Sequence, residues 1–287
     1  MTPIGTAVVC GAGAMGSQIA MLAALAGCDT TMVDVDQERL DSAMDQLEKR
    51  CARGVARGTL DADDVEAAFA RLATSLDLDD AASGADIVIE AIVEDLGAKR
   101  DLFQRLGRVA PADAILATNS SSIVSSKLAD ITNPGRVCNM HFFNPALVMK
   151  LVEVVGGEHT SPDTVEAAVE LAERMGKTPV VVRREIFGFI ANRIVAAIFD
   201  EAIELLEAGV ATVEDIDLAV TNGLGHPVGP FALLDLTGID VNVGIKKLEA
   251  QETGDPSRGP ATTLLDLERA GRLGRKTGRG FYEYGAS

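Results

Sequence analysis

Gly11-Ala12-Gly13-Ala14-Met15-Gly16 stands directly between a run of small and β-branched residues, Ala7 to Cys10, and an apolar run, Met15 to Ala26. Three glycines at that spacing, between a predicted strand and a predicted helix, leave the backbone few paths. One glycine permits a tight turn, one lets a pyrophosphate approach the main chain, and one brings the helix close to its strand. The helix start supplies unpaired N–H groups and a positive dipole end, which favour an anion in front of the loop. The stretch from Met1 to Cys28 carries no charged side chain and so imitates a membrane span or a signal peptide. It has no basic n-region and the glycines interrupt it, so neither is expected.

Beyond this turn the chain alternates short strand-like runs with helical ones. Thr30 to Asp34, Ala85 to Glu90 and Ala114 to Thr118 read as strands, and Gln37 to Arg53 and Asp95 to Val109 as helices. That rhythm predicts βαβ units and a parallel sheet. Two further strand-like runs, Arg136 to Phe142 and Val148 to Val155, are joined through Asn144-Pro145. A helix near Pro162 to Met175 and a strand Thr178 to Val182 follow. After Phe187 strand signals cease: Ile190 to Glu207 is apolar at helical spacing, and the remainder reads as helices broken at Gly223 to Pro230 and Gly254 to Pro260. The expected fold class is therefore α/β, a Rossmann-type nucleotide-binding domain over residues 1–185 followed by an all-helical domain over 186–287. A length of 287 residues with 47% apolar and 24% charged residues suits two such globular domains.

Asp34 ends the second predicted strand, 18 residues after Gly16. A carboxylate there can accept both ribose hydroxyls of an adenosine and would repel a 2′-phosphate. No Arg or Lys follows until Arg39, so NAD is favoured over NADP. An ordinary glycine turn with a surface Asp is the plainer alternative.

The chain has three histidines, His141, His159 and His226. Scattered so, they predict no metal site. His159 falls in a polar turn and is expected to be solvated, and His226 lies in a Gly-rich loop. His141 falls within a strand run, and Glu153 within Lys150-Leu151-Val152-Glu153-Val154-Val155. A carboxylate inside an apolar strand is costly unless paired. If the chain reverses near Pro145, Glu153 returns past His141 and can accept from one imidazole nitrogen, leaving the other as a base. A satisfied core histidine is the competing reading.

These residues resemble a known family. His141-Phe142-Phe143-Asn144-Pro145 with Val148-Met149-Lys150-Leu151-Val152-Glu153, Asn119-Ser120-Ser121-Ser122, Gly188-Phe189-Ile190-Ala191-Asn192-Arg193 and Lys276-Thr277-Gly278-Arg279-Gly280-Phe281-Tyr282 together look like the 3-hydroxyacyl-CoA dehydrogenases, nearest the stand-alone bacterial 3-hydroxybutyryl-CoA dehydrogenases. The resemblance runs end to end and implies reversible hydride transfer between NAD and C3 of an L-3-hydroxyacyl-CoA. It implies His141 as base, Glu153 as the group that holds it, and Ser121 and Asn192 as hydrogen-bond partners of the substrate. It places Gly11, Gly13, Met15, Gly16, Asp34, Glu94, Lys99, Asn119, Asn144 and Lys276 against the cofactor. For Glu94 and Lys99 a solvated helix face is the alternative. For Ser120 to Ser126 it is a helix cap and surface, and for Asn192 a local backbone contact. The sequence departs from the family pattern at Ser120, where Thr is usual, and at Ile186-Phe187, where Pro is usual.

With 26 Lys and Arg against 43 Asp and Glu the formal charge is −17, and there is no Trp, so nucleic acid is not an expected partner. The same charge repels coenzyme A unless a local basic patch offsets it. Arg53 and Arg57, one helical turn apart, are the candidates for its phosphates, with an exposed helix face as the alternative. Cys10, Cys28, Cys51 and Cys138 form no C-x-x-C pair, which fits free thiols in the cytoplasm. The apolar helix at Ile190 to Glu207 predicts a homodimer through the helical domain. A dehydrogenase of free hydroxy acids, as in the gulonate dehydrogenase and λ-crystallin proteins, and a non-catalytic NAD-binding protein are the other readings. The His141 to Pro145 motif and the Arg53/Arg57 pair oppose the first, and the retained His141 and Glu153 the second.

Overall fold

The computed structural model describes residues 3–285, and the chain divides into two compact units, Met1–Phe189 and Ile190–Ser287. The first is built on one eight-stranded sheet. Its elements run β1 (Thr6–Cys10), α1 (Gly16–Leu25), β2 (Asp29–Val33), α2 (Gln37–Ala56), α3 (Ala62–Arg71), β3 (Leu72–Ser75), α4 (Leu78–Ala82), β4 (Ile87–Glu90), α5 (Leu96–Val109), β5 (Ile115–Thr118), α6 (Ser126–Ala129), β6 (Val137–Phe142), β7 (Leu151–Val155), α7 (Pro162–Arg174) and β8 (Thr178–Val182). The strand order is β3-β2-β1-β4-β5-β6-β7-β8. All neighbours pair in parallel except β6 and β7, which are antiparallel. This is the doubly wound nucleotide-binding arrangement extended by a reversed pair of strands.

Helices cover both faces, so the central strands are buried on both sides and read as continuous apolar runs rather than alternating ones. On one face Ala7, Val9, Ile87, Ile89, Met140 and Val152 pack with α1 and α7; on the other Val8, Val88, Leu116 and Val137 pack with Phe103 and Leu106 of α5. α2 shows how local sequence makes its element. Asp36 caps it by accepting the Glu38 N–H, and Leu40, Ala43, Leu47 and Cys51 form its buried stripe. All four cysteines are unpaired and buried, and burial pushes the Cys138 thiol up to about 12, far from thiolate chemistry at neutral pH.

The segment α3–β3–α4 was not legible in the sequence. β3 is a four-residue edge strand with two exposed positions, so it has neither a β-branched run nor a clear alternation. β7 starts at Leu151, not Val148, because the N–H groups of Val148 and Met149 both turn back to the Pro145 carbonyl. His159 is half-buried rather than solvated, with Nε2 3.4 Å from the Ser125 hydroxyl and 3.3 Å from that of Thr160.

The second unit is all-helical: α8 (Ala191–Glu207), α9 (Val213–Gly223), α10 (Pro230–Thr237), α11 (Ile239–Thr253) and α12 (Thr262–Arg269). Phe199, Ile203, Ile216, Phe231, Leu234 and Val243 form its core. Two buried carboxylates tie it together. Asp217 accepts the Phe231 and Ala232 N–H groups and the Tyr282 hydroxyl, and Asp235 accepts the Phe281 and Tyr282 N–H groups and the Tyr284 hydroxyl. Among the described residues no helix is long and apolar enough to cross a membrane.

Candidate active site

The turn from β1 into α1 uses its three glycines differently. A Cβ on Gly16 would stand 1.9 Å from the Gly11 carbonyl oxygen. One on Gly11, at φ +108°, would stand 2.6 Å from the Ala91 oxygen. Both are closed to a side chain by backbone that cannot swing away. At Gly13 nothing lies within 4 Å of that position, so there the main chain faces open space before the start of α1. This is the cradle a pyrophosphate requires.

Asp34 follows β2 directly. Its Oδ2 accepts the Ala12 N–H and its Oδ1 the Val35 N–H, each at 2.8 Å. The carboxylate is thus anchored by the glycine turn rather than wholly reserved for a ligand, and each oxygen keeps capacity for one ribose hydroxyl. A groove of about 380 Å³ beside it is lined by Gly13, Asp36, Glu38, Arg39 and Ser42, among others. Arg39, the first basic residue after Asp34, pairs with Asp36 at 3.6 Å. The acidic character of this groove suits NAD and opposes a 2′-phosphate.

His141 and Glu153 are register partners on the antiparallel strands β6 and β7. Cys138, Met140 and Phe142 point into the core, which leaves Asn139 and His141 on the opposite face of β6. The Nδ1 of His141 lies 2.8 Å from Glu153 Oε2, with the two side chains 9% and 1% exposed. An ionised carboxylate only accepts, so Nδ1 carries the hydrogen and Nε2 keeps its lone pair. Phe143 and Phe189 flank the imidazole, with ring centroids 4.4 and 5.7 Å away. Phe189 is fully buried at φ +49°, a conformation that costs a bulky residue about 1–3 kcal/mol and persists only where the surroundings enforce it.

At the ends of β4 and β5 lies a charged network. Glu90, fully buried, accepts from the Ile92 N–H and the Lys99 ammonium on one oxygen and from the Thr118 hydroxyl on the other. Lys99 also reaches Glu94 at 3.2 Å. The solvated helix face that pattern alone allowed for Lys99 is therefore wrong: its side chain is 1% exposed, and Glu90, nine residues earlier, is the reason it can be buried charged. Burial pushes the Glu94 carboxyl up, but Lys99 and the hydroxyls of Ser120 and Ser122 outweigh this and hold it below the usual carboxylate value. Glu90 carries no signal in the sequence, because one carboxylate at a strand end has no local signature.

The same network separates the serines. Ser120 and Ser122 both donate to Glu94, whereas the Ser121 hydroxyl makes no hydrogen bond among the described residues. Ser120 and Ser125 are buried, so the segment is not a flexible surface loop. Asn119 fixes the end of β6 by accepting the Phe142 N–H at 2.9 Å, and Asn144 is exposed beyond it. Arg53 and Arg57 are exposed at the C-terminal end of α2. In the second unit Asn192 is half-buried in the first turn of α8, and the Lys276 ammonium donates to Asp240 at 2.6 Å.

An imidazole with one nitrogen held and the other spare can move protons, and a glycine turn of this geometry can hold a dinucleotide; the combination is that expected of an NAD-dependent dehydrogenase. Residues 6–186 match the family model of the 3-hydroxyacyl-CoA dehydrogenase NAD binding domain, and residues 188–284 that of the 3-hydroxyacyl-CoA dehydrogenase C-terminal domain. The chain belongs to the 3-hydroxyacyl-CoA dehydrogenase family, as the sequence motifs implied. It is 40% identical to 3-hydroxybutyryl-CoA dehydrogenase of Bradyrhizobium diazoefficiens, over 96% of this chain and 94% of that protein. It is 38% identical to the mitochondrial hydroxyacyl-coenzyme A dehydrogenase of Homo sapiens, over 96% and 90%. The crystal structure of (S)-3-hydroxybutyryl-CoA dehydrogenase from Ralstonia eutropha superposes with a TM-score of 0.92 at 36% identity, covering 99% of this chain and 100% of that one.

Proposed function

We propose that this chain interconverts short L-3-hydroxyacyl-CoA and 3-ketoacyl-CoA thioesters, with 3-hydroxybutyryl-CoA and acetoacetyl-CoA as its pair. The observation that carries the chemistry is the buried His141–Glu153 bond. NAD, held by the Gly11–Gly16 turn and Asp34, would supply the hydride acceptor in one direction and, reduced, the donor in the other. In oxidation His141 Nε2 takes the proton of the 3-hydroxyl, and Glu153 stabilises the imidazolium without taking a proton itself. Ser121, the one hydroxyl of Ser120-Ser121-Ser122 not spent on Glu94, donates to a substrate oxygen, and Asn192 supplies a second contact from α8. Met15, Glu94, Lys99, Asn119, Asn144 and Lys276 complete the surroundings of the cofactor. Lys99 acts there from beneath, through Glu94, since its ammonium is already shared between two carboxylates.

Arg53 and Arg57 are assigned to the phosphates of coenzyme A. NADH oxidation by acetoacetyl-CoA, and none by free acetoacetate, is the expected outcome; equal rates with both would reject the thioester reading. Changing both arginines to Ala should raise KM for acetoacetyl-CoA several-fold to tens-fold and leave KM for NADH unchanged. Exposed ion pairs are worth about 1 kcal/mol or less each, and these lie remote from the reacting carbon.

The helical unit leaves Ile190, Ile194, Leu218, Leu224, Leu236 and Ile245 between 40% and 70% exposed. That much apolar surface supports a two-fold homodimer through this unit. Light scattering at micromolar concentration should give twice the mass of 30.0 kDa, and a monomer would overturn the assignment. The four unpaired thiols support a reducing compartment, the cytoplasm.

A further inference from the structure

Asn139 is a residue to which the reaction assigns no task, yet it is fully buried and every hydrogen-bonding atom of its amide is spent on one short segment. Its Oδ1 accepts the Ser125 N–H at 2.8 Å, and its Nδ2 donates to the Ser120 carbonyl at 3.0 Å and the Ile123 carbonyl at 3.1 Å. The Ser120 carbonyl belongs to the peptide that leads into Ser121, and the carbonyl of Ser121 itself accepts the Gly188 N–H at 3.1 Å. The two peptides that flank Ser121 are thus each held by a hydrogen bond while its hydroxyl stays uncommitted. Asn139 also lies two residues before His141, on the same face of β6, so it joins the serine segment to the strand that carries the base.

We propose that Asn139 is a positioning residue that sets the spacing between the Ser121 hydroxyl and His141, and thereby the alignment of the substrate's reacting oxygen. The inference rests on the assignment of Ser121 to the substrate. A neighbour that merely filled space at this position needs no amide. One that fixes a peptide plane needs both a donor and acceptors to hold, and this geometry supplies three such bonds. The ends of the segment have anchors of their own: Glu94 holds Ser120 and Ser122, and Glu185 accepts from the Ser125 hydroxyl and the Ser126 N–H. Loss of the Asn139 amide should therefore loosen the middle of the segment without releasing it.

The test is a double-variant cycle on the intact protein. Asn139→Ala, and separately Asn139→Asp, which keeps the acceptor for Ser125 but loses both donations, should lower kcat with acetoacetyl-CoA by about ten- to a hundred-fold. That is the scale for misplacing a reacting group. The Kd for NADH, read by fluorescence, and KM for NADH should stay within two-fold, and the folded state should persist by circular dichroism. In a Ser121→Ala background the same substitutions should cost less than two-fold, because they act through the hydroxyl already removed. Full additivity of Asn139→Ala with Ser121→Ala, or wild-type kcat in either Asn139 variant, overturns the proposal. Unchanged kcat in Ser121→Ala alone overturns the role of Ser121 and this inference with it. If the buried charge of Asn139→Asp unfolds the protein, Asn139→Ala completes the cycle.

Discussion

Replacement of His141 by Gln is expected to reduce kcat for acetoacetyl-CoA reduction by about 10²- to 10⁴-fold, the usual worth of a positioned general acid or base, with NADH affinity unchanged. Gln fills much of the same space and can still bond Glu153, so the change isolates the proton-transfer function from packing against Phe143 and Phe189. Glu153→Gln should lose activity on a similar scale for a different reason. In the oxidative direction an amide can donate to Nδ1, which places the imidazole hydrogen on Nε2, the atom that must then accept. It also leaves the imidazolium without its counter-charge. If Glu153 acts on the reaction through His141, the double variant should be little worse than His141→Gln alone. Steady-state kinetics on the three variants, with NADH titrations as control, decide this. Near-normal turnover in His141→Gln would show that the buried pair is structural.

The glycine turn gives the second large effect, and it separates fold from ligand. Gly16→Ala and Gly11→Ala place a methyl group against backbone carbonyls at 1.9 and 2.6 Å, and the second also forces a side chain onto φ +108°. Neither neighbour can rotate away, so each change should cost about 3 kcal/mol or more. That corresponds to a fall in Tm on the order of 10 °C for a unit of this size. Gly13→Ala meets nothing within 4 Å, so Tm should hold within a degree or two. Its methyl would instead occupy the space that the pyrophosphate needs, and the Kd for NADH should rise at least ten-fold. Differential scanning calorimetry and NADH titration of the three variants give the contrast directly. Unchanged NADH affinity in Gly13→Ala would place the dinucleotide elsewhere.

The parts of this molecule that the sequence made legible are those whose cause is local. Gly11 to Gly16 dictates a turn largely within its own six residues, with Gly16 packed on the Gly11 carbonyl, although Gly11 is also closed by Ala91 just past β4, and Asp34 follows at a spacing that one βαβ unit fixes. The reversal at Asn144-Pro145 connects two strands through a short loop, so the pairing of His141 with Glu153, twelve residues apart, needed only that one turn. In the second unit α8 and the breaks at Gly223 to Pro230 and Gly254 to Pro260 were legible from apolar spacing and from glycines and prolines, but the break at Gly238 that separates α10 from α11 was not. β3 was not, because an edge strand with two exposed residues owes its existence to β2 beside it rather than to its own composition.

By itself, then, the sequence determined an α/β nucleotide-binding unit with a helical unit after it, NAD as the cofactor, and the motifs that mark the 3-hydroxyacyl-CoA dehydrogenase family. The tertiary structure alone decided which polar groups are spent and which are left over. On pattern alone Lys99 is equally a surface lysine until Glu90 is brought under it. Three adjacent serines are equivalent in the sequence until Glu94, from 26 residues away, takes the hydroxyls of Ser120 and Ser122 and leaves that of Ser121. Asn139 has no signature at all until its strand lies beside the segment it holds. The physical reason is common to these cases. Burial makes an unpaired polar group cost a few kcal/mol, so each must find a partner, but the partner is chosen by which strands the sheet order makes neighbours and not by spacing along the chain.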